Sequence, residues 1–228
     1  RELVGELMDD PALPEQEHAL ALKGLRRINA ISRTAAVLLH QLVRLMGDDP
    51  SQPRRILDVA CGDGDTTMML VKLASKHGLP WQVSGCDISE RAVSFARKRA
   101  IDLKVDSPFY QADALRDLDV QGYDAVVNSL FLHHLEDQQI VAFLRRLQDA
   151  QHVVISDLVR SRRAYATTWL GVRLLSRSQV VHVDGPLSVR AALTKNEMCE
   201  LAGQGGLTGA TIQSSWPMRQ LLVWSRPS

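Results

Sequence analysis

Between residues 15 and 46, apolar side chains recur every three or four positions, with Leu25, Ile28, Ala35, Leu38, Leu42 and Leu45 along one stripe. That spacing predicts one long amphipathic helix. Gly47 ends it, and Asp48-Asp49-Pro50-Ser51-Gln52-Pro53 reads as a stiff polar linker. From Arg54 the pattern changes. Short apolar runs at 55–60, 82–86, 109–112, 125–129 and 152–155 alternate with amphipathic stretches around 66–76, 90–103 and 137–147. Alternation on this scale builds right-handed βαβ units, hence a parallel sheet covered on both faces. The end of the chain is different. Thr194-Lys195-Asn196-Glu197 forms a capping box that opens a short helix to Ala202, and Gln204-Gly205-Gly206 breaks it. Two further runs, 208–214 and 219–225, are joined only by Ser215-Trp216-Pro217-Met218, too short for anything but an antiparallel hairpin. Five parallel strands and a hairpin make an α/β fold, a mixed seven-stranded sheet with helices on both faces.

Composition narrows the partners. A chain of 228 residues suits one large domain, or a core domain with an appended lid. The formal net charge of +1 provides no basic field for gripping nucleic acid, so a small molecule is the expected partner. Cys61, Cys86 and Cys199 form neither a CxxC pair nor a metal-ligand spacing, so no metal site and no disulfide framework are expected. A reducing cytoplasm is the default for such a chain. No apolar run approaches the roughly 18 residues that a membrane span needs. The opening Arg1-Glu2-Leu3 lacks a methionine, resembles neither a signal nor a transit peptide, and reads as a trimmed terminus.

Ligands of an open parallel sheet lie beyond the carboxyl ends of its strands. After the first strand stands Asp58-Val59-Ala60-Cys61-Gly62-Asp63-Gly64-Asp65. Ala60, Gly62 and Gly64 let the backbone turn tightly and approach a ligand. Asp58, Asp63 and Asp65 would repel a pyrophosphate and better suit a ligand with an amino group and a sulfonium; the plainer account is a tight turn with solvated aspartates. The second strand ends in Asp87-Ile88, where a carboxylate can accept both hydroxyls of a ribose. Asp87 has an alternative as a helix cap, although Ser89 suits that role better. Asp113-Ala114 follows the third strand, and Asn128-Ser129-Leu130 ends the fourth.

In their order, these four loops resemble the class I S-adenosylmethionine-dependent methyltransferases, in the small-molecule branch that includes ubiquinone and menaquinone C-methyltransferases. The resemblance runs from about Arg54 to Asp157 and includes the final hairpin, which dehydrogenases usually lack. It implies a Rossmann-like sheet with S-adenosylmethionine as cofactor. Asp58, Ala60, Cys61, Gly62 and Gly64 would hold its methionine end, Asp87 its ribose, Ile88 with Asp113 and Ala114 its adenine, and Asn128, Ser129 and Leu130 the back of the sulfonium pocket. Two features depart from the family. Ala60 replaces the commoner first glycine, and Leu147-Gln148-Asp149-Ala150-Gln151 replaces the usual Leu-Lys-Pro-Gly-Gly turn.

Methyl transfer needs proximity, orientation and, for a hydroxyl acceptor, a base. His133-His134, just past the fourth strand, are the catalytic candidates, since an imidazole titrates near neutrality. Alternatively, one of them caps or packs the next helix. Residues 159–193 read as an acceptor-side insert with six arginines against Asp184, and with Tyr165 and Trp169 one helical turn apart as an aromatic wall; the plainer account is a solvated basic helix face. Its segment His182–Arg190 is too polar for a buried strand and resembles a part of bacterial methyltransferases associated with secondary-metabolite genes. Residues 1–53 read as a helical lid, with Arg26-Arg27-Ile28-Asn29 and Arg33 facing the pocket, or else as a helix that simply covers the sheet edge. The expected activity is methylation of a phenolic, quinone-like or polyketide small molecule, on oxygen or on carbon, by a monomer or homodimer. The alternatives are a nicotinamide-dependent oxidoreductase and a non-catalytic S-adenosylmethionine-binding protein.

Overall fold

The computed structural model describes residues 1–9 and 12–227. Seven strands form one sheet: β1 (Arg54–Val59), β2 (Trp81–Asp87), β3 (Phe109–Gln111), β4 (Ala125–Ser129), β5 (His152–Leu158), β6 (Thr211–Ser215) and β7 (Arg219–Ser225). Their order is β3-β2-β1-β4-β5-β7-β6, parallel from β3 to β5, with β7 inserted antiparallel beside β5 and β6 paired to β7. Strand order reverses between β1 and β4, the crevice where such sheets bind ligands.

Helices α3 (Asp65–Lys76), α4 (Glu90–Asp102) and α5 (Asp137–Arg146) make the crossovers, and α8 (Lys195–Gln204) precedes the hairpin. The starts of α4, α5 and α8 are marked by side-chain caps. The Ser89 hydroxyl accepts the amide of Ala92 at the start of α4, which settles the cap on Ser89. Thr194 and Glu197 close the expected capping box on α8, and Glu136 with Gln139 closes another on α5. The sheet separates two apolar layers. Leu57, Val59, Val126, Val153 and Ile155 face α5 residues Ile140, Phe143 and Leu144, whereas Ile56, Val83, Val127 and Val154 face Leu38, Leu42 and Leu70. Burying side chains of this size contributes about 1.5–3 kcal/mol each.

The single helix expected over 15–46 is two. α1 (Glu15–Ser32) and α2 (Thr34–Met46) meet at Arg33, whose φ of 52° is left-handed. Beyond the break the helices have different partners. Leu38 and Leu42 of α2 pack on the sheet, whereas Ala21, Leu25 and Ile28 of α1 pack against Val172, Val180 and Val181 of the insert. The joint is pinned by the buried Arg219, which donates to Thr34 at 2.6 Å and to Asn29 at 3.2 Å.

The insert is mostly helical, as α6 (Arg162–Leu175) and α7 (Gln179–Ala191). The polar segment 182–190 lies inside α7 despite Pro186. Its lone acid, Asp184, accepts the amides of Leu7 and Met8 and so ties the N-terminal segment down. Tyr165 and Trp169 do not stack on each other. Arg190 lies 5.1 Å from the Tyr165 ring and Arg173 4.0 Å from the Trp169 ring.

Candidate active site

The loop from β1 to α3 turns through three left-handed positions, and its two glycines, alike in the sequence, work differently. Gly62, at φ 55°, has nothing within 4 Å of where a Cβ would stand, so the space over its backbone is open to a ligand. A Cβ on Gly64 would sit 2.7 Å from the Phe109 ring, so that glycine serves the packing of β3. Ala60 also has a positive φ, 53°, and carries the strain that a glycine avoids. The Cys61 thiol lies toward Gly85 and the Phe109 cluster, and burial pushes its pKa up.

The three loop carboxylates part company. Asp63 is held by both Arg26 of α1, at 3.0 Å, and Arg99 of α4, at 2.9 Å, and Asp65 also pairs with Arg99. Their charge is spent within the protein, contrary to the expectation of three acids facing a cationic ligand. Asp58 alone stays uncompensated. It is 1% exposed, its Oδ2 accepts the Thr67 hydroxyl at 2.6 Å, and its Oδ1 has no partner. Burial pushes its pKa up to about 7, against the pull of Thr67.

Asn128 ends β4 beside Val59 and donates to the Val59 carbonyl, at 2.6 Å, while its own Oδ1 is buried without a partner. Two orphaned oxygens at the ends of neighbouring strands are costly unless a donor meets them. Asp87 accepts from the amides of Gly62, at 2.8 Å, and Ser89, at 2.9 Å, which fixes its carboxylate at the end of β2. Ile88 beside it is 62% exposed, a large apolar side chain left mostly open. Asp113 accepts from Leu115, at 2.8 Å, next to the buried Ala114. Ser129 lies 3.5 Å from the Thr66 hydroxyl, and Leu130 has a left-handed φ of 59°. All the expected cofactor residues thus stand at the carboxyl ends of β1 to β4.

The two histidines differ. They lie in a 3-10 turn, Leu132–His134, with rings 4.2 Å apart. His133 is 4% exposed and its Nδ1 lies 2.7 Å from Asp157, on β5. Burial lowers its pKa, but the charge and hydrogen bond of Asp157, with help from Glu6, raise it further, so the net direction is upward. Burial raises Asp157, and His133 more than reverses that, leaving it below the ordinary value. His134 is exposed. Asp157 and Glu6 escaped sequence reading because only tertiary contact joins them to His133; Asp157 at a strand end was the one available signal. Of the lid residues expected at the pocket, Arg26 and Asn29 make inward contacts, whereas Arg27 and Arg33 are exposed.

Residues 56–152 match the family model of a methyltransferase domain. With the seven-stranded sheet and its reversal at β1 and β4, the match makes this a chain that carries a class I methyltransferase domain. The ubiquinone biosynthesis O-methyltransferase of Alkalilimnicola ehrlichii is 32% identical over 126 residues, 54% of this chain and 49% of that protein. Its counterpart in Nitrosococcus oceani is 28% identical over 128 residues, 54% and 52% of the two chains. The matched part spans about half the length of these curated relatives. Among solved structures, magnesium protoporphyrin IX methyltransferase from Synechocystis PCC 6803 superimposes with a TM-score of 0.60 at 17% identity, covering 96% of this chain and 91% of that one. The mitomycin 7-O-methyltransferase reaches 0.61 at 15% identity, over 88% and 55%. These structures share the fold. Among the described residues, no helix is long and apolar enough to cross a membrane.

Proposed function

We propose that the protein transfers a methyl group from S-adenosylmethionine to a small-molecule acceptor, with oxygen of a phenolic, quinone-like or polyketide compound favoured over carbon. The observation that carries this reading is the pair of unpartnered buried oxygens, Asp58 Oδ1 and Asn128 Oδ1, at the point where strand order reverses. They fit a ligand rich in hydrogen-bond donors and bearing an ammonium group, not a pyrophosphate. Bound there, S-adenosylmethionine supplies a methyl group on a sulfonium.

Every other part falls to the chain. Asp58 faces the ammonium, the Asp87 carboxylate accepts the ribose hydroxyls, Ile88 covers the adenine, and Asp113 takes its amine while Ala114 leaves room for the ring. Asn128, Ser129 and Leu130 line the back of the pocket. At the acceptor end, Nδ1–H of His133 donates a hydrogen bond to Asp157, so its Nε2 is the atom that meets an acceptor hydroxyl, beside His134. Residues 1–53 act as a lid and 159–193 shape the acceptor space. The oxygen preference draws on the two ubiquinone O-methyltransferases and the mitomycin 7-O-methyltransferase as relatives. Three free thiols suit work in a reducing compartment.

Titration calorimetry with adenosylhomocysteine and, separately, with NADH tests the cofactor. Adenosylhomocysteine is expected to bind, with Asp87→Ala weakening it about 10- to 150-fold through loss of charge-assisted hydrogen bonds of ~1.5–3 kcal/mol. Binding of NADH alone sinks the reading. A phenolic panel with labelled methyl donor then tests transfer, and cofactor binding with no acceptor ever methylated leaves a sensor.

A further inference from the structure

Beyond the carboxyl end of β4, three side chains from separate parts of the chain converge. Glu6 comes from the N-terminal segment, and His133 and His134 come from the 3-10 turn. One ligand atom from each lies within 4.8 Å of the other two. His133 is oriented by Asp157 on Nδ1, which leaves Nε2 toward Glu6, 3.8 Å from its carboxylate. A carboxylate behind one nitrogen, with the other nitrogen toward the ligand set, is how metal-binding histidines are held. The segment that bears Glu6 is anchored. Ser188 donates to Glu6 itself, and Asp184 accepts the amides of Leu7, at 2.9 Å, and Met8, at 3.0 Å. The exposed His134 gives an entry path from solvent.

We infer that Glu6, His133 and His134 form a binding site for a divalent first-row transition cation, with Asp157 positioning His133. Two imidazoles and one carboxylate suit Zn²⁺, Fe²⁺, Mn²⁺ or Co²⁺, whereas Mg²⁺ and Ca²⁺ favour sets made wholly of oxygens. Three protein ligands leave a coordination position open. Resting on the methyl-transfer reading, that position would take the acceptor's hydroxyl oxygen; Nε2 of His133 would then hold the cation instead of meeting the hydroxyl directly, and the positive charge would favour release of the hydroxyl proton to solvent water beside the exposed His134. Cation binding itself needs neither cofactor nor acceptor.

The competing account of the same geometry is a protonated His133 clamped between Asp157 and Glu6. Titrating the chelator-treated full chain with Co²⁺ and, separately, with Zn²⁺ decides between them. The expected result is one cation per chain, with visible Co²⁺ absorption from bound imidazole. Glu6→Gln and His134→Ala should each weaken binding at least ~10-fold, and Asp157→Asn about 10- to 100-fold, as an outer carboxylate does. No uptake by the wild-type chain, or uptake unchanged in both Glu6→Gln and His134→Ala, overturns the site. Adenosylhomocysteine binding measured on the same samples shows that the variants are folded, and separates the two proposals. If it fails while the cation binds, the cofactor reading falls and the cation site stands.

Discussion

At Asp58 the chain leaves a carboxylate in the interior with one hydroxyl for company. Because burial raises its folded pKa above the unfolded value, folding there favours the protonated form. The contribution of Asp58 to stability is therefore complete below about pH 4, the unfolded range, and is lost as pH rises to about 7. Urea unfolding of the cofactor-free protein should show that decline, and Asp58→Asn should flatten it; equal pH slopes in the two proteins would defeat the assignment. Adenosylhomocysteine, which keeps the ammonium group, should in turn bind wild type more tightly as pH climbs through 7. The motif around Asp58 was legible in the sequence, since glycines and acids after an apolar run mark a ligand loop. Which acid would remain for the ligand was not, because Arg26 and Arg99 reach Asp63 from helices distant in sequence.

Elements were most legible where local chemistry and hydrophobic period agree. The parallel strands, the α8 capping box and the terminal hairpin all follow from residues within a few positions of one another. The joint between α1 and α2 does not. The apolar repeat runs on past Arg33, and nothing local forbids a continuous helix. The break arises because α2 must lie on the sheet while α1 must lie on the insert, and Arg219 holds Asn29 and Thr34 at the corner. A left-handed arginine carries a cost that glycine escapes. Arg33→Gly should thus stabilise by about 0.5–1 kcal/mol, net of the added freedom of the unfolded chain. A thermal melt should rise by roughly 1–4 °C for a domain of this size. A fall would mean that the arginine side chain does more than occupy the bend.

Across the whole molecule, the helices outside the sheet are tied to its functional end by a few polar contacts. Arg26 joins α1 to the glycine loop through Asp63, and Glu6 joins the N-terminal segment to His133. Asp63 keeps Arg99 when Arg26 is removed, and the Arg26 side chain is about a third exposed, so its pair adds little to stability. Arg26→Ala should accordingly leave the melting temperature within a degree or two, while adenosylhomocysteine dissociates faster in stopped-flow chase if α1 is a lid. Unchanged dissociation would reduce α1 to a cover for the insert. By itself the sequence determined the seven-stranded mixed sheet, the order of its ligand loops and the place of the histidines, because strand period, turn residues and caps act over short stretches of chain. Only the tertiary structure decided that Asp58 and Asn128 keep unpaired oxygens, that Asp63 is neutralised, and that Asp157 and Glu6 flank His133. Those outcomes depend on burial and on charges brought together across 24 to 127 positions, 133 to 157 and 6 to 133, and no local pattern records them.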